Sequence, residues 1–144
     1  MNYQAYSTAL LEQVNLHSRQ LDMLGNKSSP LNQVEKTAIE RSLQIIVEAA
    51  IGCSKQLARK LNLIDRTDAY QNIEQAASEC GVDQDWLPQL KGAVGMRNAI
   101  VHDYLNLNWQ LIEDVLKTHK YRIVARFVRL VCTKLVEPKI ETWE

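Results

Sequence analysis

The chain has 144 residues, 46% hydrophobic and 24% charged, enough to bury one compact core and too few for two domains. Lysine plus arginine equals aspartate plus glutamate at 17 each, so no global positive field draws the protein to nucleic acid or to an anionic membrane, and any RNA binding has to be local. Cys53, Cys80 and Cys132 are odd in number and far apart, without CxxC or metal-ligand spacing, which speaks against a disulfide framework or a metal site and predicts reduced core thiols.

The opening stretch, MNYQAYSTALLEQVNLHS, lacks a basic n-region and an unbroken apolar run, and no later segment has the roughly 20 apolar residues a membrane span needs. A cytoplasmic protein with no membrane association is expected. Apolar residues recur at alternating steps of four and three throughout, and the alternation typical of strands is missing, so the fold class reads as all-α: an antiparallel bundle of five to six helices, with 1–144 as a single domain. The first stripe is Leu10, Val14, His17, Leu21 and Leu24, ending at Gly25-Asn26, residues that favour a helix C-cap. The second is Ile39, Leu43, Ile46, Ala50, Cys53 and Leu57, with Ser29-Pro30 as its expected start. A third helix is predicted from Thr67 or Asp68 to Cys80, stopped by Gly81, with Tyr70, Ile73 and Ala77 inward.

A fourth helix begins near Asp85 and is expected to carry Trp86, Leu90, Ala93, Arg97, Ile100 and Tyr104 along one side, an apolar stripe interrupted by a permanent cation. Two more follow, from about Asn108 to Lys117 and from about Tyr121 to Val136, the last ended by Pro138 and buried through Val124, Phe127, Val128, Val131 and Leu135. Opposite that face runs a basic row of Arg122, Arg126 and Arg129, which reads first as a solvated face and second as a track for an RNA backbone. Trp86 and Trp109 fit core anchors, His17 a satisfied core or interface histidine, and His119 a turn or helix end, while Trp143 has no evident role.

The stretch GAVGMRNAIVHDYLNLNW crowds Arg97, His102 and Tyr104 into eight residues, beside the polar pair Asn98 and Asp103. A guanidinium is a planar, multi-donor cation suited to phosphate oxygens, and an imidazole titrates near neutral pH and moves protons in either direction. Together they suit phosphodiester cleavage in RNA. There the 2′-hydroxyl is an internal nucleophile, so an enzyme has only to remove its proton, stabilise the crowded phosphorane and assist the leaving oxygen, without a metal or other cofactor. On a regular helix the five steps from Arg97 to His102 leave the two side chains about 140° apart. Either the helix loosens near His102, or a symmetric partner brings a second copy of the motif to a shared cleft, an idea favoured by Gly92 and Gly95, which would let two backbones approach. Tyr104, seven residues after Arg97, falls within about 20° of it if the helix continues.

Arg97-Asn98-Ala99-Ile100-Val101-His102-Asp103-Tyr104 resembles the R-x4-6-H motif of HEPN domains, with a polar residue after the arginine. The form R-x4-H-x-Y is similar to the HepT toxins, partners of minimal nucleotidyltransferase (MNT) antitoxins, and ERSLQIIVEAAIGCSKQL, from Glu40 to Leu57, resembles that family's second helix. The resemblance covers most of the chain, least clearly the first helix and the tail after Pro138. It implies that Arg97 and His102 are ribonuclease residues, with Asn98 and Asp103 in support, and that Tyr104 accepts AMP from the antitoxin. RNA as substrate, an MNT-type partner and a homodimer follow as expectations. The rival expectation is a non-catalytic HEPN-like module that docks on a nucleotidyltransferase. A purely structural reading makes Arg97 a core-edge ion-pair partner and His102 a packing residue.

Overall fold

The computed structural model describes residues 1–138, and Trp143 lies outside them. Among the described residues there are six α-helices, one 3-10 turn and no strand: α1 (Tyr3–Gly25), α2 (Gln33–Lys60), α3 (Ala69–Glu79), α4 (Trp86–His102), the turn Tyr104–Asn106, α5 (Trp109–Lys117) and α6 (Tyr121–Val136).

The helix ends follow from side-chain chemistry. Asn2, Asp68 and Asn108 each cap a helix by accepting a backbone N–H two or three residues on. α2 begins later than expected from Ser29-Pro30. Its N-cap is Asn32, whose Oδ1 accepts Glu35 N–H at 2.8 Å while Glu35 accepts Asn32 N–H at 2.9 Å, a reciprocal box that outcompetes the serine start because it satisfies two orphan donors at once. α3 ends where Gly81 turns to φ +67°, with Val82 N–H bonded to Ala77 and Gly81 N–H to Ser78, the two bonds of a Schellman motif. α6 stops at Val136 because Glu137, preceding Pro138, adopts an extended conformation.

α2 is the centre of the bundle and packs on α1, α3, α4 and α6. Tyr6 lies beside Gly52, His17 beside Ser42 and Lys27 beside Glu35, so α1 runs antiparallel to α2. Arg122 bonds Asp22 and Arg129 bonds Asn15, so α6 runs antiparallel to α1. One continuous core includes residues from every helix, with Phe127, Leu21, Ile39, Leu43 and Ile46 among its largest fully buried side chains. Cys53 and Cys132 are buried, and Cys80 caps α3 at the core's margin; all three are free. Burial pushes the Cys53 thiol well up, away from reactivity.

Polar clasps fix the periphery. His17 Nδ1 lies 2.8 Å from Ser42 Oγ, and burial lowers the imidazole's pKa. The Tyr121 hydroxyl donates to Asp22, which also accepts from Arg122 at 3.1 Å, and His119, in the left-handed region at φ +57° between α5 and α6, lies 3.0 Å from the same hydroxyl. Two of the three arginines in the α6 basic row are thus engaged by α1, and Arg126 is exposed. At the far end the buried Lys60 ammonium donates to the carbonyls of Lys134, Leu135 and Glu137, satisfying the last turn of α6 from the C-terminus of α2.

Candidate active site at the end of α4

α4 keeps its backbone ladder to its last residue: Asp103 N–H still bonds Ala99 at 3.0 Å. The helix therefore does not loosen before His102, and Arg97 and His102 leave its axis about 140° apart. Arg97 is half-buried against α2, and His102 is exposed on the last turn. Asn98 accepts a hydrogen bond from Arg97 Nη1 at 2.8 Å, while Asp103 accepts one from Asn106 at 2.8 Å, across the 3-10 turn. Asn98 thus touches the arginine and Asp103 shapes the turn.

Tyr104 departs from expectation. Asp103, at φ −138° and ψ 43°, breaks the helix, so Tyr104 opens the 3-10 turn instead of continuing the stripe with Arg97. It is 51% exposed. Its hydroxyl nevertheless faces α2, where the carboxylate of Glu40 pushes its pKa above the ordinary 10, chiefly by repelling the phenolate charge. Arg97 also faces α2: its Nε lies 3.6 Å from Glu48 Oε1. Because α4 runs antiparallel to α2, the arginine meets the later of these acidic residues and the tyrosine the earlier.

Glu40 and Glu48 are the site residues that the motif did not indicate. They belong to a row on α2, Lys36, Glu40, Gln44 and Glu48, spaced at four residues and so rising along one side of the helix. Glu40 is 5% exposed and accepts the Trp109 indole N–H at 2.7 Å; Lys36 sits 5.3 Å from the same ring. Gln44 donates to Glu48 Oε1 at 2.9 Å. The spacing of four was visible in the sequence, but nothing there showed that α4 and the following turn would lie against it.

Two other features adjoin the motif. A groove of about 590 Å³ runs between α4 and α5, lined by Gly92, Gly95 and Met96 on one side and Leu111 and Val115 on the other. A Cβ added at Gly92 or Gly95 would meet no packed neighbour within 4 Å among the described residues, so neither glycine relieves crowding there. Leu105, Leu111 and Val101 stand exposed near the same helix end. Among the described residues no group of three His, Cys, Asp or Glu is placed to hold a metal ion, and no helix is long and apolar enough to cross a membrane.

Replacing Glu40 by Gln removes the negative charge facing Tyr104 while keeping an acceptor for Trp109. The Tyr104 pKa should then fall toward 10, as followed by carbon-13 NMR titration of the tyrosine ring. An unmoved titration would show that the carboxylate does not govern this hydroxyl.

Residues 11–131 match the family described as Ribonuclease HepT-like. A protein of Archaeoglobus fulgidus described as a candidate RNase is 27% identical over 100 residues, 68% of this chain and 75% of that protein. Two solved structures share the fold, each with a TM-score of 0.76 over 87% of this chain. One, a toxin–antitoxin with AMP-PNP, is 19% identical with 96% of its chain covered; the other, a tri-AMPylated HEPN toxin of Shewanella oneidensis in complex with MNT antitoxin, is 20% identical with 95% covered. With 11–131 matched out of 144 residues, the chain belongs to the HepT-like ribonuclease family.

Proposed function

We propose that this chain, as one HEPN-type domain, is a metal-independent RNA endonuclease, active as a homodimer through Arg97 and His102. It would be the toxin of a toxin–antitoxin pair, restrained by transfer of AMP to Tyr104 from an MNT-type nucleotidyltransferase. The observation that carries this reading is the last two turns of α4 and the turn after them, which carry a half-buried, ion-paired arginine, an exposed histidine and an exposed tyrosine in a chain of a ribonuclease family.

The chemistry is internal transesterification. His102 accepts the proton of the 2′-hydroxyl, whose oxygen attacks the adjacent phosphorus, and Arg97 stabilises the phosphorane's charge. The bond from phosphorus to the 5′-oxygen breaks, that oxygen takes up a proton, and the products are a 2′,3′-cyclic phosphate and a 5′-hydroxyl. Control is a second phosphoryl chemistry. The Tyr104 oxygen attacks the α-phosphorus of ATP, loses its proton and releases pyrophosphate, leaving a negative phosphodiester beside the groove that RNA must enter.

Three features support a dimer. Arg97 and His102 diverge on a helix that stays regular, so two copies are needed to bring both groups to one phosphate from a single helix end. Gly92 and Gly95 have no neighbour of their own to accommodate, and the apolar groove beside them offers a complementary face.

Purified protein should cleave single-stranded RNA in excess EDTA, and His102→Ala should lower the rate by about 100-fold or more with helix content unchanged. A requirement for magnesium in the cleavage assay would overturn the mechanism. Gly95→Leu should weaken self-association in sedimentation runs, and an undisturbed dimer would remove the glycines from the interface. Tyr104→Phe should still cut RNA but gain no AMP by intact-mass analysis after incubation with the nucleotidyltransferase and ATP. If that variant is modified and silenced like wild type, the acceptor lies elsewhere. If wild type takes up AMP but never cuts RNA, the non-catalytic docking module is the better account.

A further inference from the structure

We infer that Glu48 is a positioning residue that holds the Arg97 guanidinium by its Nε edge, leaving its outer edge for the scissile phosphate. The inference rests on the proposal that Arg97 is the phosphate-binding cation.

A guanidinium carries five N–H donors in a rigid plane, one on Nε and four on the two Nη atoms. Arg97 Nε is inaccessible to solvent and, among the described residues, has no hydrogen-bond acceptor, yet it lies 3.6 Å from Glu48 Oε1. A buried donor of a charged group is costly to leave unmade, and the nearby carboxylate needs only a few tenths of an ångström of movement to accept it. Asn98 accepts one Nη1 hydrogen at 2.8 Å, from within the same helix. Glu48 is in turn fixed by Gln44, one turn earlier on α2, which donates to Oε1 at 2.9 Å. The result is a chain of contacts from Gln44 through Glu48 and Arg97 to Asn98, anchored on α2 at one end and α4 at the other. It restrains the plane of the guanidinium and leaves three terminal hydrogens uncommitted, two on Nη2 and one on Nη1, from which a bidentate phosphate contact takes two.

The sign of the electrostatics separates positioning from binding. A carboxylate beside the arginine opposes the attraction of the site for a polyanion, so Glu48 cannot serve RNA affinity. What it supplies is orientation, which matters most when charge builds on the phosphorane. Removing the carboxylate should therefore lower kcat without raising KM. Loss of a residue that merely supports the fold would lower the amount of active protein or raise KM instead.

The test is Glu48→Gln in the full chain, assayed on a mixed-sequence single-stranded RNA oligonucleotide in EDTA. Because Glu48 is partly exposed and Gln is its isostere, the fold should persist, and the melting temperature checks this. We expect kcat to fall about tenfold with KM equal to or below that of wild type, and Glu48→Gln added to Arg97→Ala to cause no further loss. A second readout does not depend on cleavage: the Nε proton of Arg97, followed by nitrogen-15 NMR, should exchange slowly with water in wild type and several-fold faster in Glu48→Gln. An unchanged kcat, a rise in KM that accounts for the loss, or an additive double variant would overturn the inference, as would unaltered Nε exchange. If wild type cuts no RNA while Nε protection still depends on Glu48, the holding of Arg97 stands and the ribonuclease reading fails.

Discussion

A glutamate with 5% of its surface left to solvent has to have its carboxylate met by donors, and in this protein Glu40 sets that requirement near the start of the bundle's central helix. The donor is the Trp109 indole, from the first residue of α5. That bond brings the segment after α4 back across α2. It is compatible with a chain that leaves α4 at Asp103, crosses in a single 3-10 turn carrying Tyr104 and starts α5 after Asn108. The same bond, with the burial of Ile112 and Leu116, seats α5 against α2 and so places the exposed tyrosine and the wall of the groove between α4 and α5.

Much of this was legible in the sequence because apolar periodicity is a direct image of burial. The stripes through Val14 and Leu21, through Ile39 to Leu57 and through Val124 to Leu135 all enter the core. Local chemistry was legible where one device acted alone, as at Gly81 and Pro138, and misleading where two competed. Ser29-Pro30 looks like a helix start, but Asn32 and Glu35 satisfy each other and take the cap, with Lys27 ion-paired to the same glutamate. Tyr104 shows a different limit. Its spacing from Arg97 fits the helical period, but Asp103 leaves the helical conformation and interrupts it, and the contact of Trp109 with Glu40 that lies beyond the break is long-range. Glu48 and Glu40 could not be read as site residues from their own neighbourhoods, since an acid on an amphipathic helix is ordinarily solvated. Their meaning depends on contacts with residues in α4, in the turn and in α5.

The arrangement also explains how an arginine is tolerated in the apolar stripe of α4. Leu90, Val94 and Ile100 carry the burial of that helix, while Arg97 lies at the margin with an acid beside its Nε and an amide oxygen from its own helix on one hydrogen of Nη1. A charge so placed is neither solvated nor fully desolvated, and its interactions with a polyanion are stronger there than in open water. The same helix carries Gly92 and Gly95, against which, among the described residues, nothing packs within 4 Å of an added Cβ.

The Lys60 clamp on α6 has a practical corollary. It pins the backbone at Glu137 to the last residue of α2, whereas Glu40, which faces Tyr104, is twenty residues earlier, about 30 Å away along the helix. A label or surface tether attached at Glu137 would therefore sit at the end remote from His102 and Tyr104. Immobilised in that orientation, the protein would hold the reactive turn outward, so binding of RNA or of a nucleotidyltransferase could be followed on a sensor surface without the support obstructing either.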